Sequence, residues 1–181
     1  MKTRWGFILF AAVVLIVQLV HAADSDVSIS VEKKRFDHTA GSGIQPKSDE
    51  SKKTDSWGYT VTIENQTFKK LENLQVKYII FYKHEELGVK GPAHKETKSG
   101  SYSLTSVDSI GKTSFDTDAV KLTRASLIGN IPGGFTYFAN GAKPTAEDTL
   151  SGIWIRIYKD GNLFAEYAYP AGLSSTEQWQ D

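Results

Sequence analysis

The chain has 181 residues, 21 Lys plus Arg against 21 Asp plus Glu, and no cysteine. A formal net charge of zero gives no electrostatic case for nucleic acid or an anionic membrane surface as partner. The missing cysteine excludes disulfides and the lipid-modified junction of a bacterial lipoprotein.

Residues 1–22 read as a secretory signal peptide. Lys2 and Arg4 precede an apolar run from Phe7 to Val17, and Val20-His-Ala22 supplies a small-residue cleavage site. The run is shorter than the roughly 20 apolar residues of a membrane span, and Gln18 interrupts it. The expected mature chain, residues 23–181, is then a single domain of 159 residues without a membrane span, secreted or periplasmic, and its lack of cysteine favours a bacterial source.

Val27 to Arg35 alternates Val27, Ile29 and Val31 with Ser28, Ser30 and Glu32, the period of two that a half-buried strand needs. Residues 39–56 are rich in Gly, Ser, Lys and Asp, with Ile44 the one large apolar side chain, and predict a mobile loop. Trp57 to Glu64 and Leu74 to Tyr82 form the clearest strand pair: Tyr59, Val61 and Ile63 share one face, as do Leu74, Val76, Tyr78, Ile80 and Tyr82. Asn65-Gln-Thr67 in the turn between them matches the N-glycosylation pattern.

His84 to Gly100 predicts a second polar excursion, followed by shorter strands at Ser101 to Val107 and Thr113 to Leu122. Residues 123–150, punctuated by Gly and Pro but anchored by Leu127, Ile128, Phe135, Tyr137 and Phe138, predict a long ordered loop. The last strands, Ile153 to Tyr158 and Asn162 to Tyr169, flank Lys159-Asp-Gly161. A three-residue loop would pair Ile157 with Leu163, Ile155 with Ala165 and Ile153 with Tyr167, burying one apolar face. Trp154, Arg156, Tyr158 and Phe164 then line the outer face. Ser174-Ser-Thr-Glu177 offers a capping box for a final turn of helix that docks Trp179.

Seven strands with polar connections predict an all-β, antiparallel sandwich. Tyr59-Thr-Val-Thr-Ile-Glu-Asn65 followed by Leu74-Gln-Val-Lys-Tyr78, with Ile110-Gly111-Lys112 leading into Phe115, resembles the immunoglobulin-like and fibronectin type III-like modules of bacterial exported proteins over about half the mature chain. The resemblance implies a Greek-key sandwich with a non-catalytic role in adhesion, display or as an accessory domain. The chain departs from it in exceeding the roughly 100 residues of an immunoglobulin domain and in lacking the cysteine pair.

No P-loop, nucleophile elbow or dinucleotide fingerprint occurs, and no catalytic set, metal site or cofactor is expected. Ser30 and Lys33 fit the S-x-x-K string but fall on opposite faces of a strand. His84, Glu85, Glu86 and His94 lack the spacing of a helical zinc motif, and Asp116 and Asp118 read as solvated carboxylates. Trp154, Arg156, Tyr158 and Phe164 are the ligand-binding candidates, for an unknown protein or glycan. Either residues 128–138 or an outside partner is expected to cover that outer face, which Ile79 and Phe81 share. The alternatives are a carbohydrate-binding module using Trp154 and Phe164, and a secreted hydrolase with its site on the 123–150 loop, at Glu147 or Asp148. His84 or His94 held by buried carboxylates in a deep pocket would overturn the non-catalytic reading.

Overall fold

A computed structural model describes residues 26–37, 50–127 and 140–180. The expected signal peptide, most of the 39–56 segment and residues 128–138 lie outside them. Two antiparallel sheets pack face to face as a β-sandwich. The first holds β1 (Val27–Asp37), β2 (Glu50–Asn65), β5 (Lys112–Asp116), β6 (Val120–Leu127) and β7 (Thr145–Glu147). The second has the order β4 (His94–Val107), β3 (Leu71–His84), β8 (Thr149–Lys159), β9 (Asn162–Tyr169). No helix among the described residues is long and apolar enough to cross a membrane.

The alternation read from the sequence becomes the core. Tyr59, Val61 and Ile63 from the first sheet meet Leu74, Val76, Tyr78, Ile80, Ile153, Ile155 and Ile157 from the second. Each such aliphatic side chain, fully withdrawn from water, stabilises the fold by roughly 1.5–3 kcal/mol before conformational entropy is counted. Along β2, β5 and β6 form one continuous neighbour: Glu64 to Thr60 pair with Lys112 to Asp116, and Trp57 to Glu50 with Val120 to Leu127. The buried Thr117 bridges the break, its Oγ1 accepting from Tyr59 N at 3.0 Å and its own N donating to Tyr59 O at 2.9 Å.

Four expectations need correction. The described residues form nine strands, because Glu50–Ser56 and His94–Gly100 are strands where polar loops were expected, and residues 123–127, 145–147 and 149–150 are strands where one long ordered loop was expected. These segments lack apolar alternation; pairing with β6, β3, β2 and one another places them in the sheets, and cross-strand partners outweigh local pattern.

The β8–β9 turn has two residues, Asp160 and Gly161, both at positive φ (50° and 80°), with Lys159 opposite Asn162. A bulge at Phe164 then restores the apolar register, pairing Ile157 with Ala165, Ile155 with Tyr167 and Ile153 with Tyr169. Phe164 consequently packs against the main core and does not join Trp154 on the outer face.

That outer face is covered by the C-terminal segment. Leu173 of α1 (Leu173–Thr176) joins Ile79, Phe81 and Trp154 in a second apolar cluster, with Trp179 against it. Gly152 permits the crossing, since a Cβ there would collide with Tyr169 O and stand 3.0 Å from Leu173 Cδ2. Finally, α1 starts from Gly172 with no side-chain cap, and Glu177 falls at its C-cap, so the capping box is not formed.

Candidate functional site

The two ends of the sandwich differ in how their strands are joined. At one end the turns are short: 66–70, 108–111 and Asp160-Gly161. At the other, the connections 38–49, 85–93 and 128–144 all begin and finish, as the pairings Asp37 with Ser56, His84 with His94, and Ser126 with Thr145 establish. Long connections held at one end of a rigid sandwich are a common place for recognition.

At this second end the inward face of the first sheet changes from apolar to charged. Going from Tyr59 toward the start of β2, the same face carries Trp57, Asp55 and Lys53, opposite Val120, Leu122 and Arg124 on β6. Lys33 and Arg35 of β1 face the same way, paired with Tyr59 and Trp57. A groove of about 360 Å³ results, walled on the far side by Thr149 and Leu150 at the start of β8. Among its lining residues Arg124 pairs with Glu147, Lys33 Nζ stands 4.8 Å from the centre of the Trp57 ring, and Asp55 accepts from Arg35 of β1 at 2.5 Å.

Asp148 closes the mouth of the groove. It is the single residue between β7 and β8, so the chain changes sheets there. Its carboxylate is buried and takes donors from both sheets: Thr123 N at 2.8 Å on Oδ2, and His84 Nδ1 at 2.8 Å with Glu85 N at 3.1 Å on Oδ1. Its own N donates to Thr123 O at 2.9 Å. The His84 side chain is 42% exposed. A buried carboxylate orienting an accessible imidazole is the base and its support in nucleophilic catalysis. No hydroxyl or thiol hydrogen-bonds His84 among the described residues, and the groove is open, so only half of the condition for a catalytic reading is met.

A second hollow of about 260 Å³ adjoins this end, between the 85–94 connection and residues 141–145, its rim tied by Asn140 Nδ2 donating to Gly88 O at 2.8 Å. His94 and Glu86 line it, but among the described residues no three metal-ligating side chains converge. Asp116 is engaged by Lys34 Nζ at 2.6 Å and Thr60 Oγ1 at 2.6 Å, which hold its carboxyl below the usual range, Lys34 contributing most.

Of the side chains expected to bind a ligand, Trp154, Arg156 and Tyr158 do share the outer face of the second sheet. Trp154 is 7% exposed, its ring edge-on to Trp179 at 5.7 Å between centroids. Glu166 accepts from Trp154 Nε1 at 2.8 Å and from Arg156 Nε at 2.7 Å, while the guanidinium lies 4.4 Å from the Trp179 ring. Tyr158 faces Lys77, whose Nζ is 5.4 Å from the ring centre. Sequence reading missed Lys53, Asp55 and Arg124, although the spacing Lys53, Asp55, Trp57, Tyr59 carries the signal: one strand face passing from charge to core. It also left His84 and Asp148 apart, 64 positions away in sequence.

No protein-family model matches the chain, and no curated protein matches it. Among solved structures, a crystal structure from Akkermansia muciniphila aligns with a TM-score of 0.36 and 11% identity over 86% of this chain and 76% of its own. The Northeast Structural Genomics Consortium target SoR45 aligns with a TM-score of 0.29 and 8% identity over 88% of this chain and 96% of its own. Likeness at that level says nothing further about this chain.

Proposed function

We propose that the chain is an exported, non-catalytic binding or scaffolding module that engages a protein or glycan partner at the long-connection end of its sandwich. The observation that carries this reading is a charged groove at the end of the sandwich where the three long connections begin and finish, while the opposite end is closed by short turns. Lys33, Lys53 and Arg124 stand against Asp55, Glu147 and Asp148 in that groove. Balanced charge beside an indole suits a polar partner of mixed charge better than a polyanion.

A kinship with immunoglobulin-like modules belongs to the same proposal. Its support is the strand order, with β1, β2 and the β5–β6 line in one sheet and β4, β3, β8, β9 in the other, matching the division of that fold when an added strand flanks the C-F-G sheet. The test is a screen of glycan and surface-protein arrays with the wild type and with the double variant Lys53→Glu, Arg124→Glu. Binding that survives the double variant unchanged removes the groove from the proposal.

The His84–Asp148 pair supports a second reading, a secreted hydrolase. Turnover on a broad hydrolase panel that disappears in a folded His84→Gln variant would establish it; no turnover on the panel returns the pair to a purely structural role.

A further inference from the structure

Strands at the borders of the two sheets mostly carry a guard against pairing with another chain: a short length, lysines along the edge, an inward-pointing charge or a bulge. β5 and β7 are five and three residues long. β1 carries Lys33, Lys34 and Arg35, with an irregularity between Arg35 and Asp37. β4 carries Lys95 and Lys98, and Lys98, paired with the buried Ile80, points into the sandwich, where its Nζ donates to Ala119 O at 2.9 Å. β9 lacks these guards once past its bulge at Phe164. Ala165-Glu-Tyr-Ala-Tyr169 contains no lysine, arginine, glycine or proline. Its one charge, Glu166, is held by Arg156 Nε at 2.7 Å. Among the described residues β9 makes no ladder with any strand but β8. The C-terminal segment leaves this edge clear, because it crosses the sheet in the other direction, toward β4, where Lys95 Nζ donates to Glu177 at 2.6 Å.

The side chains along the same edge are unevenly covered. Ala165, Tyr167 and Tyr169 face the first sheet, opposite Ile157, Ile155 and Ile153. Tyr169 is nevertheless 49% exposed. Four residues back, Ala165 lines a hollow of about 320 Å³ between β9 and β1, shared with Ile29, Gln66 and Tyr167. Ile29, Ala165 and Tyr167 are only partly buried there, although they pack against the main core. A projecting ring and a hollow on the same face of one strand are the two halves of a self-complementary contact.

From this edge we infer that β9 pairs antiparallel with β9 of a second copy of the chain, about a two-fold axis at Tyr167. That register uses all of residues 165–169. It sets Ala165 opposite Tyr169 of the partner subunit, Glu166 opposite the partner's Ala168, and the two Tyr167 side chains opposite each other. Tyr169 of each copy then fills the hollow beside Ala165 of the other, and the two second sheets join into one continuous sheet. Moving the axis to Glu166 would bring the two carboxylates face to face, and moving it to Ala168 would leave only residues 167–169 paired. An unrelated strand would satisfy the backbone edge and leave Tyr169 and the hollow unmatched; a second copy satisfies both. No residue of β9 lines the charged groove, so this contact is independent of the partner proposed above.

The test is sedimentation velocity of the chain from residue 23 onward, which contains every described residue, from about 1 μM to about 1 mM. Monomer and dimer are expected in a concentration-dependent equilibrium. Tyr169→Ser is expected to raise the dissociation constant about ten-fold or more. Ala168→Glu, which creates two like-charge pairs with Glu166 across the axis, is expected to raise it as well, whereas Ala168→Lys is expected to lower it. Opposite signs from two charged substitutions at one position separate strand pairing from a general effect on the fold, and urea unfolding confirms that each variant is folded. A monomer at every concentration, a dimer indifferent to Tyr169→Ser, or the same response to Ala168→Glu and Ala168→Lys overturns the inference. A dimer abolished by Lys53→Glu with Arg124→Glu does the same, because its contact would then lie in the groove.

Discussion

Asn65 and Asp148 occupy opposite ends of the sandwich, each a buried polar side chain that ties strands together, and they do so with different chemistry. The Asn65 amide both donates and accepts, and its partners are the backbone and hydroxyl of two neighbouring short turns. The Asp148 carboxylate only accepts, and its donors come from different sheets, one of them an imidazole open to solvent. The first arrangement is sealed; its role ends with the fold. The second ends in a titratable group at the rim of a groove, and so leaves chemistry available to a partner. The contrast also disposes of the Asn65-Gln-Thr67 glycosylation pattern in the folded protein, because the acceptor nitrogen is inaccessible and already donates to backbone carbonyls.

Asn65→Ala should be the most damaging change at either end. It leaves several buried carbonyls and a turn N–H without partners, and we expect a loss of about 3–4 kcal/mol in urea unfolding. A loss below 1 kcal/mol would mean that water replaces the amide and that this end is not sealed. Asp148→Ala should follow at about 2–3 kcal/mol by the same measurement, since two backbone N–H groups lose their acceptor but the nearby groove admits water. Equal losses at the two sites would erase the distinction drawn here.

Ile110→Gly should act in the opposite direction, raising stability by about 1 kcal/mol through relief of positive-φ strain at Ile110, whose φ is 51°.

The last test is alkaline titration. The hydrogen bond with Glu96, then burial, push Tyr82 up to about 12, while burial pushes Tyr59, in mid-sheet, up to about 12 as well. An acid whose folded value exceeds its unfolded value of about 10 favours the folded state fully below pH 10, and that contribution is lost as the pH rises toward 12. Burial raises Tyr78 as well, so absorbance near the tyrosinate band should show Tyr59, Tyr78 and Tyr82 titrating late, and stability should fall across that window. Tyr82→Phe should flatten the fall more than a substitution in the short turns.

How legible each region was in the sequence follows its physics. Tyr59, Val61, Ile63 and Leu74 through Tyr82 could be placed because burial of one face imposes a period of two on the residues themselves. Ile79 and Phe81, apolar on the expected solvent side, correctly demanded a cover; the cover is Leu173 and Trp179, a short segment whose apolar residues are too sparse to advertise a face of their own. Glu50 to Ser56 and His94 to Gly100 were unreadable as strands because nothing in them is buried on a regular period; their strand character resides in their partners. The displaced Phe164 followed from a turn that could close in two ways, both reconcilable with apolar pairing once a bulge is allowed. His84 and Asp148 carried no joint signal, since a contact made where the chain changes sheets has no local pattern.

That change of sheet at Asp148 has a dynamic consequence. The amide protons of Thr123 and Glu85 are held by one carboxylate, and that of Asp148 itself by Thr123 O, so no one of the three can open to solvent without disturbing the hinge shared by the others. In hydrogen exchange they should behave as one unit spanning both sheets, with a common opening free energy. A partner seated in the groove would slow all three together, giving a reporter of occupancy that lies beneath the binding surface.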